Sequence, residues 1–76
     1  MIYSTHLFRH LRIIIGQNIH RLRAARRLTL DELAARSGVS QTSIDFYELG
    51  KGEIHLNQLL RLACAMEVEV AALLDE

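Results

Sequence analysis

The chain has 76 residues, 50% of them hydrophobic, with nine basic and nine acidic side chains, no proline and one cysteine. That length makes one small core and one domain, and the apolar share argues against disorder. Ile13–Ile15 is the longest isoleucine run and is far too short to span a bilayer, the first residues lack the long apolar stretch of a secretory leader, and the lone Cys64 forms no internal disulfide, so a reducing cytoplasm is the expected setting.

The zero net charge hides a strong polarity. Residues 1–28 carry Arg9, Arg12, Arg21, Arg23, Arg26 and Arg27 and no acid, for +6; residues 29–76 set Arg36, Lys51 and Arg61 against nine acids, for −6. A basic half of this kind can approach phosphates while the acidic half faces away.

Ile15, Ile19 and Leu22 stand at helical spacing and predict a helix through about Arg27. Leu7, Phe8 and Leu11 carry the stripe upstream. The helix then either begins near Thr5 and runs through Gly16 or is preceded by a separate short one, and a strand at Met1–Tyr3 is a further alternative. Thr29-x-x-Glu32 is a capping box that starts a second helix at Leu30, with Asp31 and Glu32 at its positive end. Gly38 suits the left-handed residue beyond its C-terminus. Ser40 caps a third helix from Gln41 to about Leu49, ended by Gly50 and Gly52. A loop to about His55 follows. Leu56, Leu59, Leu60, Ala63 and Met66 then mark a fourth amphipathic helix, with Cys64 among them as a buried small hydrophobe. Val70, Leu73 and Leu74 mark a short fifth, with Glu69 near its start. The pattern is all-α, a compact five-helix domain with an N-terminal extension at residues 1–14 and the body at residues 15–76.

Residues 30–49, LDELAARSGVSQTSIDFYEL, carry the most information. Ala34 permits close helix crossing, Gly38 the turn, and Leu33, Val39, Ile44 and Tyr47 an inner face. This is the spacing of a helix-turn-helix, whose second helix normally enters a DNA major groove.

From about Ile15 to Leu74 the chain resembles the lambda-repressor-like, or XRE/Cro, DNA-binding family. The segments that carry the resemblance are IGQNIHRLRAARRLTLDELAARSGVSQTSI, YELGKG and LNQLLRLACAMEVEVAALL. It implies a five-helix domain, dimeric binding to operator half-sites and a role in transcription. It implies that Gln41, Thr42 and Phe46 reach base edges, and that Arg23 and Glu48 form a pair tying helix 1 to the end of helix 3. The family usually has a phosphate-binding Gln at the position of Leu30, and Asn, Arg or Lys at that of Leu49; here both are leucine.

The outward residues of the third helix are Gln41, Thr42, Asp45, Phe46 and Leu49, opposite Ile44. Gln41 suits a bidentate pair with adenine. Thr42 suits a base or a phosphate, Phe46 a thymine methyl, and Asp45 a cytosine amine or plain solvation. Backbone contacts would come from Thr29, the Ser40 and Gln41 amides, the Ser43 hydroxyl and Lys51, with Arg26 and Arg27 beside the second helix. His6 and His10 stand four apart without a third ligand nearby and read as surface histidines. No nucleophile–base arrangement, phosphate loop or cofactor motif is present, so neither catalysis nor a cofactor is expected.

The sequence therefore points to a sequence-specific DNA-binding regulator, a repressor acting as a homodimer on a palindromic operator. The alternative is a protein-interaction module of the same fold, such as an antitoxin or complex subunit, with weak DNA binding. Ile2, Tyr3, Leu7, Phe8, Leu11, Ile13 and Ile14 would make a sizeable apolar patch. Together with Val70 and Leu73 it forms a symmetric dimer contact, or else it folds back on its own core.

Overall fold

The computed structural model describes residues 5–76, with side chains from Leu7 onward. The strand alternative at Met1–Tyr3, the apolar contacts of Ile2 and Tyr3 and the His6 side chain lie outside the described residues. Four helices and a 3-10 turn follow one another: α1 (Thr5–Ala25), α2 (Leu30–Ser37), α3 (Gln41–Glu48), α4 (Leu56–Ala65) and the turn Val70–Leu73.

Helix α1 is continuous through Gly16. The stripe of Ile15, Ile19 and Leu22 is buried against Leu33, Ile44, Leu62, Met66 and Leu73. Ile14 is buried too, and Leu11 is half-buried against the same core. Part of the N-terminal apolar set thus folds onto its own core, while Leu7 and Ile13 stay exposed. Leu73 is fully buried, so it is not available for the dimer contact expected of it. Asn18, on the buried face of α1, ties down the chain's end: its Nδ2 donates to the carbonyls of Leu73 at 2.9 Å and Asp75 at 2.8 Å.

The helix ends have identifiable causes. The capping box of α2 is present, with Thr29 Oγ1 accepting from Glu32 N at 3.0 Å and Thr29 N donating to Glu32 Oε1 at 2.8 Å. Gly38 follows α2 at φ 76 and donates its N–H to Ala34 O. Three other helices end in Schellman turns. The paired bonds are Arg27 N to Ala24 O with Leu28 N to Arg23 O, Gly50 N to Tyr47 O with Lys51 N to Phe46 O, and Glu67 N to Cys64 O with Val68 N to Ala63 O. The left-handed residues are Arg27, Gly50 and Glu67. Helix α1 accordingly stops at Ala25, two residues short of the sequence expectation.

Three further expectations need correction. Helix α4 buries Leu59, Leu62 and Ala63, and Met66 just past its end is buried too, whereas Leu56 and Leu60 are 64% and 49% exposed. Helix α4 packs against α2 and the C-terminal 3-10 turn, and that seam selects Leu62 over Leu60. Cys64 lies on the outer side and is exposed, not a buried hydrophobe. The expected fifth helix is a single 3-10 turn, too short to sustain α-helical bonding.

Gly38→Val is expected to cost about 1–3 kcal/mol through backbone strain at positive φ. Crowding is not the cause, since a side-chain carbon here would meet Arg61 Nη1 at 3.5 Å, an ordinary contact. A thermal melt checks this, and an unchanged midpoint would contradict the strain.

Candidate nucleic-acid interface

The helix-turn-helix is built as its residues dictate. Ser37 Oγ accepts from Val39 N at 3.1 Å inside the turn. Ser40 Oγ accepts from Ser43 N at 3.1 Å and donates to Ser43 Oγ at 2.9 Å. These bonds aim α3, with Ile44 and Tyr47 buried beneath it.

The backbone of α1 sets how closely α3 lies. A side-chain carbon on Gly16 would collide with the carbonyl oxygen of Tyr47 and come within 3.2 Å of the Glu48 carbonyl oxygen. The carbonyl end of α3 is thus laid directly across α1. Cations suit that end of a helix dipole, and α1 supplies them. Arg23 forks onto Glu48, Nε to Oε2 at 2.7 Å and Nη2 to Oε1 at 2.9 Å, while its Nη1 donates to Leu28 O at 2.9 Å. His20 Nδ1 stands 3.0 Å from the same Oε1. The Nδ1–H tautomer fits best, because it donates to the carboxylate while Arg23 Nη2 is already engaged there. Burial pushes the Glu48 carboxyl up, but hydrogen bonds from Arg23 and then His20 outweigh it and hold it below its ordinary value. The Arg23–Glu48 pair expected from the sequence is therefore present.

Tyr47 does more than fill the inner face. Its hydroxyl donates to Gln58 Oε1 at 2.9 Å and accepts from His55 N at 3.1 Å. It fastens the loop after α3 to the start of α4. A tyrosine in an apolar pattern signals such a buried hydroxyl, which needs partners, but its partners are not readable from spacing.

The outward residues of α3 sort into two groups. Gln41, Thr42 and Asp45 are exposed and line a shallow depression together with Leu30. On a neighbouring face, Ser43, Phe46 and Lys51 line a second depression with Gly52, Glu53, His55 and Gln58. Phe46 is 48% and Leu49 59% exposed. Thr29, Arg26 and Arg27 are exposed at the junction of α1 and α2 but enter neither depression. The Thr29 and Ser40 oxygens already serve as caps and Ser40 donates its hydroxyl hydrogen to Ser43 Oγ, so the hydroxyl hydrogens of Thr29 and Ser43 and the lone pairs beyond these bonds remain for a ligand. Glu53, His55 and Gln58 were not singled out in the sequence, and nothing in their spacing marks them.

The helix-turn-helix family model HTH_3 matches residues 19–73. The chain belongs to the HTH_3 helix-turn-helix family. This is the lambda-repressor-like group that the sequence resembles, a family of DNA-binding transcription regulators. Solved structures agree with the HTH_3 assignment. The chain is similar to the restriction-modification controller protein C.AhdI from Aeromonas hydrophila, with 31% identity, a TM-score of 0.78, and coverage of 82% of this chain and 94% of that one. It is similar to an HTH_3 family transcriptional regulator from Vibrio cholerae, with 26% identity and a TM-score of 0.83 over 87% of this chain and 37% of that one. A hypothetical transcription factor, NHTF, from Neisseria is 26% identical with a TM-score of 0.81, over 86% and 75% of the two chains. No curated protein matches the chain in sequence. Among the described residues, no helix is long and apolar enough to cross a membrane.

Proposed function

We propose that this HTH_3 protein is a sequence-specific transcriptional repressor that binds a palindromic operator as a homodimer in the cytoplasm. The observation that carries the reading is the outward face of α3. Gln41, Thr42, Asp45 and Phe46 are all exposed there, on a helix whose opposite face is locked to α1 and α2. Its solved relatives include a restriction-modification controller and transcription factors, which supports a regulatory role. In this reading Gln41 pairs with adenine, Thr42 touches a base or phosphate, Phe46 meets a thymine methyl and Asp45 accepts from cytosine. Lys51, Arg26, Arg27, Thr29, Ser40 and Ser43 hold the phosphates. No step of catalysis is assigned. Selection of bound sequences from a random duplex pool tests the reading; a palindrome with half-sites about one helical turn apart is expected.

Gln41→Ala should weaken specific binding and relax preference at one base pair by about 1–3 kcal/mol, with the melting temperature nearly unchanged. Retention of the wild-type preference in the selected sequences would remove Gln41 from base readout.

The dimer is assigned to the exposed apolar residues at the N-terminal end of α1 and the C-terminal end of the chain, chiefly Leu7 and Leu74. Residues 1–14 then act as the extension that joins two bodies of residues 15–76. Sedimentation equilibrium checks it. The wild type should sediment as a dimer, and Leu7→Asp with Leu74→Asp should give a folded monomer. Equal masses for both would move the contact elsewhere.

One observation favours a second reading, a protein-binding module with weak DNA affinity. The depression beside Gln41 and Thr42 is lined by Leu30 and Asp45, an apolar and an acidic group where phosphates would need donors. A gel shift on random duplex at low salt separates the two readings, since electrostatic binding is strongest there.

A further inference from the structure

We propose that Arg9 and Arg12 extend the DNA-binding surface along α1, holding phosphates that flank the segment read by α3. The proposal rests on the DNA-binding reading above and assigns a second contact region to it.

Arg9, Arg12, Gly16, His20 and Arg23 follow one another at steps of three or four residues, so they form a single line along α1. The second half of that line is placed by its contacts. Gly16 meets the carbonyl end of α3, and His20 and Arg23 meet Glu48. The first half therefore continues past the same end of α3. Ile13, beside the line, fixes this further. Its Cγ1 lies 3.4 Å from where a side-chain carbon of Gly50 would stand, and Gly50 leads directly into Lys51. Arg12 thus sits next to the turn carrying Lys51, and Arg9 one helical turn beyond it.

Phe8 and Ile13 flank the line, while the other apolar residues of this half-helix occupy another face. Leu7, Leu11 and Ile14 continue the buried stripe of Ile15 and Asn18, so a dimer contact there leaves the arginine line open. Neither guanidinium takes part in any ion pair or hydrogen bond of the described residues, and Arg9 is exposed. Glu48, the acid that meets the second half of the line, is already engaged by Arg23 and His20, and Glu76 lies 3.6 Å from His10 and pairs with neither arginine. Two unengaged guanidiniums in line with a groove-directed helix suit phosphate oxygens, which they match as forked donors. Both arginines precede residues 19–73, the part matched by the family model, so family membership assigns them no role.

The test is a salt titration of binding by fluorescence anisotropy. The probes are the duplex selected from the random pool, a random duplex of equal length, and the selected site trimmed of its flanks. Arg9→Gln/Arg12→Gln is expected to make the slope of log affinity against log salt shallower by about 4, because each protomer of the dimer loses two phosphate contacts. The wild-type advantage should shrink by about a hundredfold between 50 and 200 mM salt. Selected and random duplexes should lose affinity by the same factor, because phosphate contacts carry no base information. The difference should vanish on the trimmed site, and Arg9→Lys/Arg12→Lys should restore most of it. Arg12 is half-buried, so circular dichroism melts accompany the series. If the double variant melts early, Arg9→Gln alone should lower the slope by about 2, one contact from each protomer. An unchanged slope on flanked duplex, with the wild type still binding, overturns this proposal and leaves the DNA-binding reading intact. A wild type that binds no duplex at low salt overturns both.

Discussion

Alanine in place of Gly16 should destabilise the protein by about 2 kcal/mol, even though alanine is the better helix former. Two effects oppose each other. Glycine inside a helix costs about 1 kcal/mol relative to alanine, so on an isolated α1 the change would stabilise. In the folded chain the added methyl collides with the Tyr47 carbonyl oxygen and lies 3.1 Å from the Tyr47 carbonyl carbon. Overpacking costs about 1–3 kcal/mol, and the upper end applies because the obstacle is backbone and cannot rotate away. Strain therefore wins. A net loss near 2 kcal/mol corresponds to a fall of roughly 10 °C in melting temperature for a domain of this size. A thermal melt beside Ala24→Gly, an exposed site on the same helix, supplies the comparison. Ala24→Gly should lose only the propensity difference. A stabilised Gly16→Ala would mean that α1 and α3 are not in backbone contact. The substitution also bears on function, since the α1–α3 approach sets the angle at which α3 presents Gln41 and Phe46.

That role of Gly16 is invisible in the sequence, where the residue reads as a candidate break in the helix. The difference is physical. A glycine that permits a close approach and one that ends a helix look alike until the opposing backbone is placed. The α2–turn–α3 unit was legible because its signals are local: Thr29 with Glu32, Gly38, and Ser40 each act within a few residues of themselves. The ends of α1 and α4 were not, because Arg27 and Glu67 take the left-handed position that glycine normally marks. The sequence does not decide among Leu60, Leu62 and Cys64 in α4, since all could sit on an apolar face and only the seam with α2 and the terminal turn selects Leu62. For the candidate site, the outward set on α3 followed from periodicity opposite Ile44. The lining supplied by Glu53, His55 and Gln58 comes from a loop and a different helix, which no spacing rule joins to α3. The long-range pair of Arg23 and Glu48 was reached through the family resemblance and not through local pattern.

The pair of Arg23 and Glu48 also gives the second large effect. Glu48→Ala should cost about 2–3 kcal/mol at pH 7. A hydrogen-bonded charge contributes about 1.5–3 kcal/mol, and its removal strands a partly buried partner. Arg23 would keep only the Leu28 carbonyl among the bonds it makes outside its own helix. Asp45→Ala and Glu53→Ala remove exposed acids and should fall within about 0.5 kcal/mol of wild type. A double-mutant cycle with Arg23→Ala isolates the pair; zero coupling would mean that the fork contributes nothing. The pH dependence provides an independent signature. Burial raises the Glu48 carboxyl, and the hydrogen bonds from Arg23 and His20 lower it by more, so its folded value lies below its unfolded one. A group shifted in that direction contributes stability in full above the unfolded carboxylate value, and loses it as pH falls through the folded value. Glu32 is shifted the same way by the Thr29 N–H, so the acid limb of the wild type alone mixes two groups. The difference between wild type and Glu48→Gln removes Glu32 from the comparison. In urea melts from pH 7 down to pH 2, that difference should stay constant to about pH 4.3 and then narrow as Glu48 takes up its proton. A gap that persisted undiminished at the acid end would show that the Glu48 charge, and with it the clamp between α1 and the carbonyl end of α3, is not what the substitution removed.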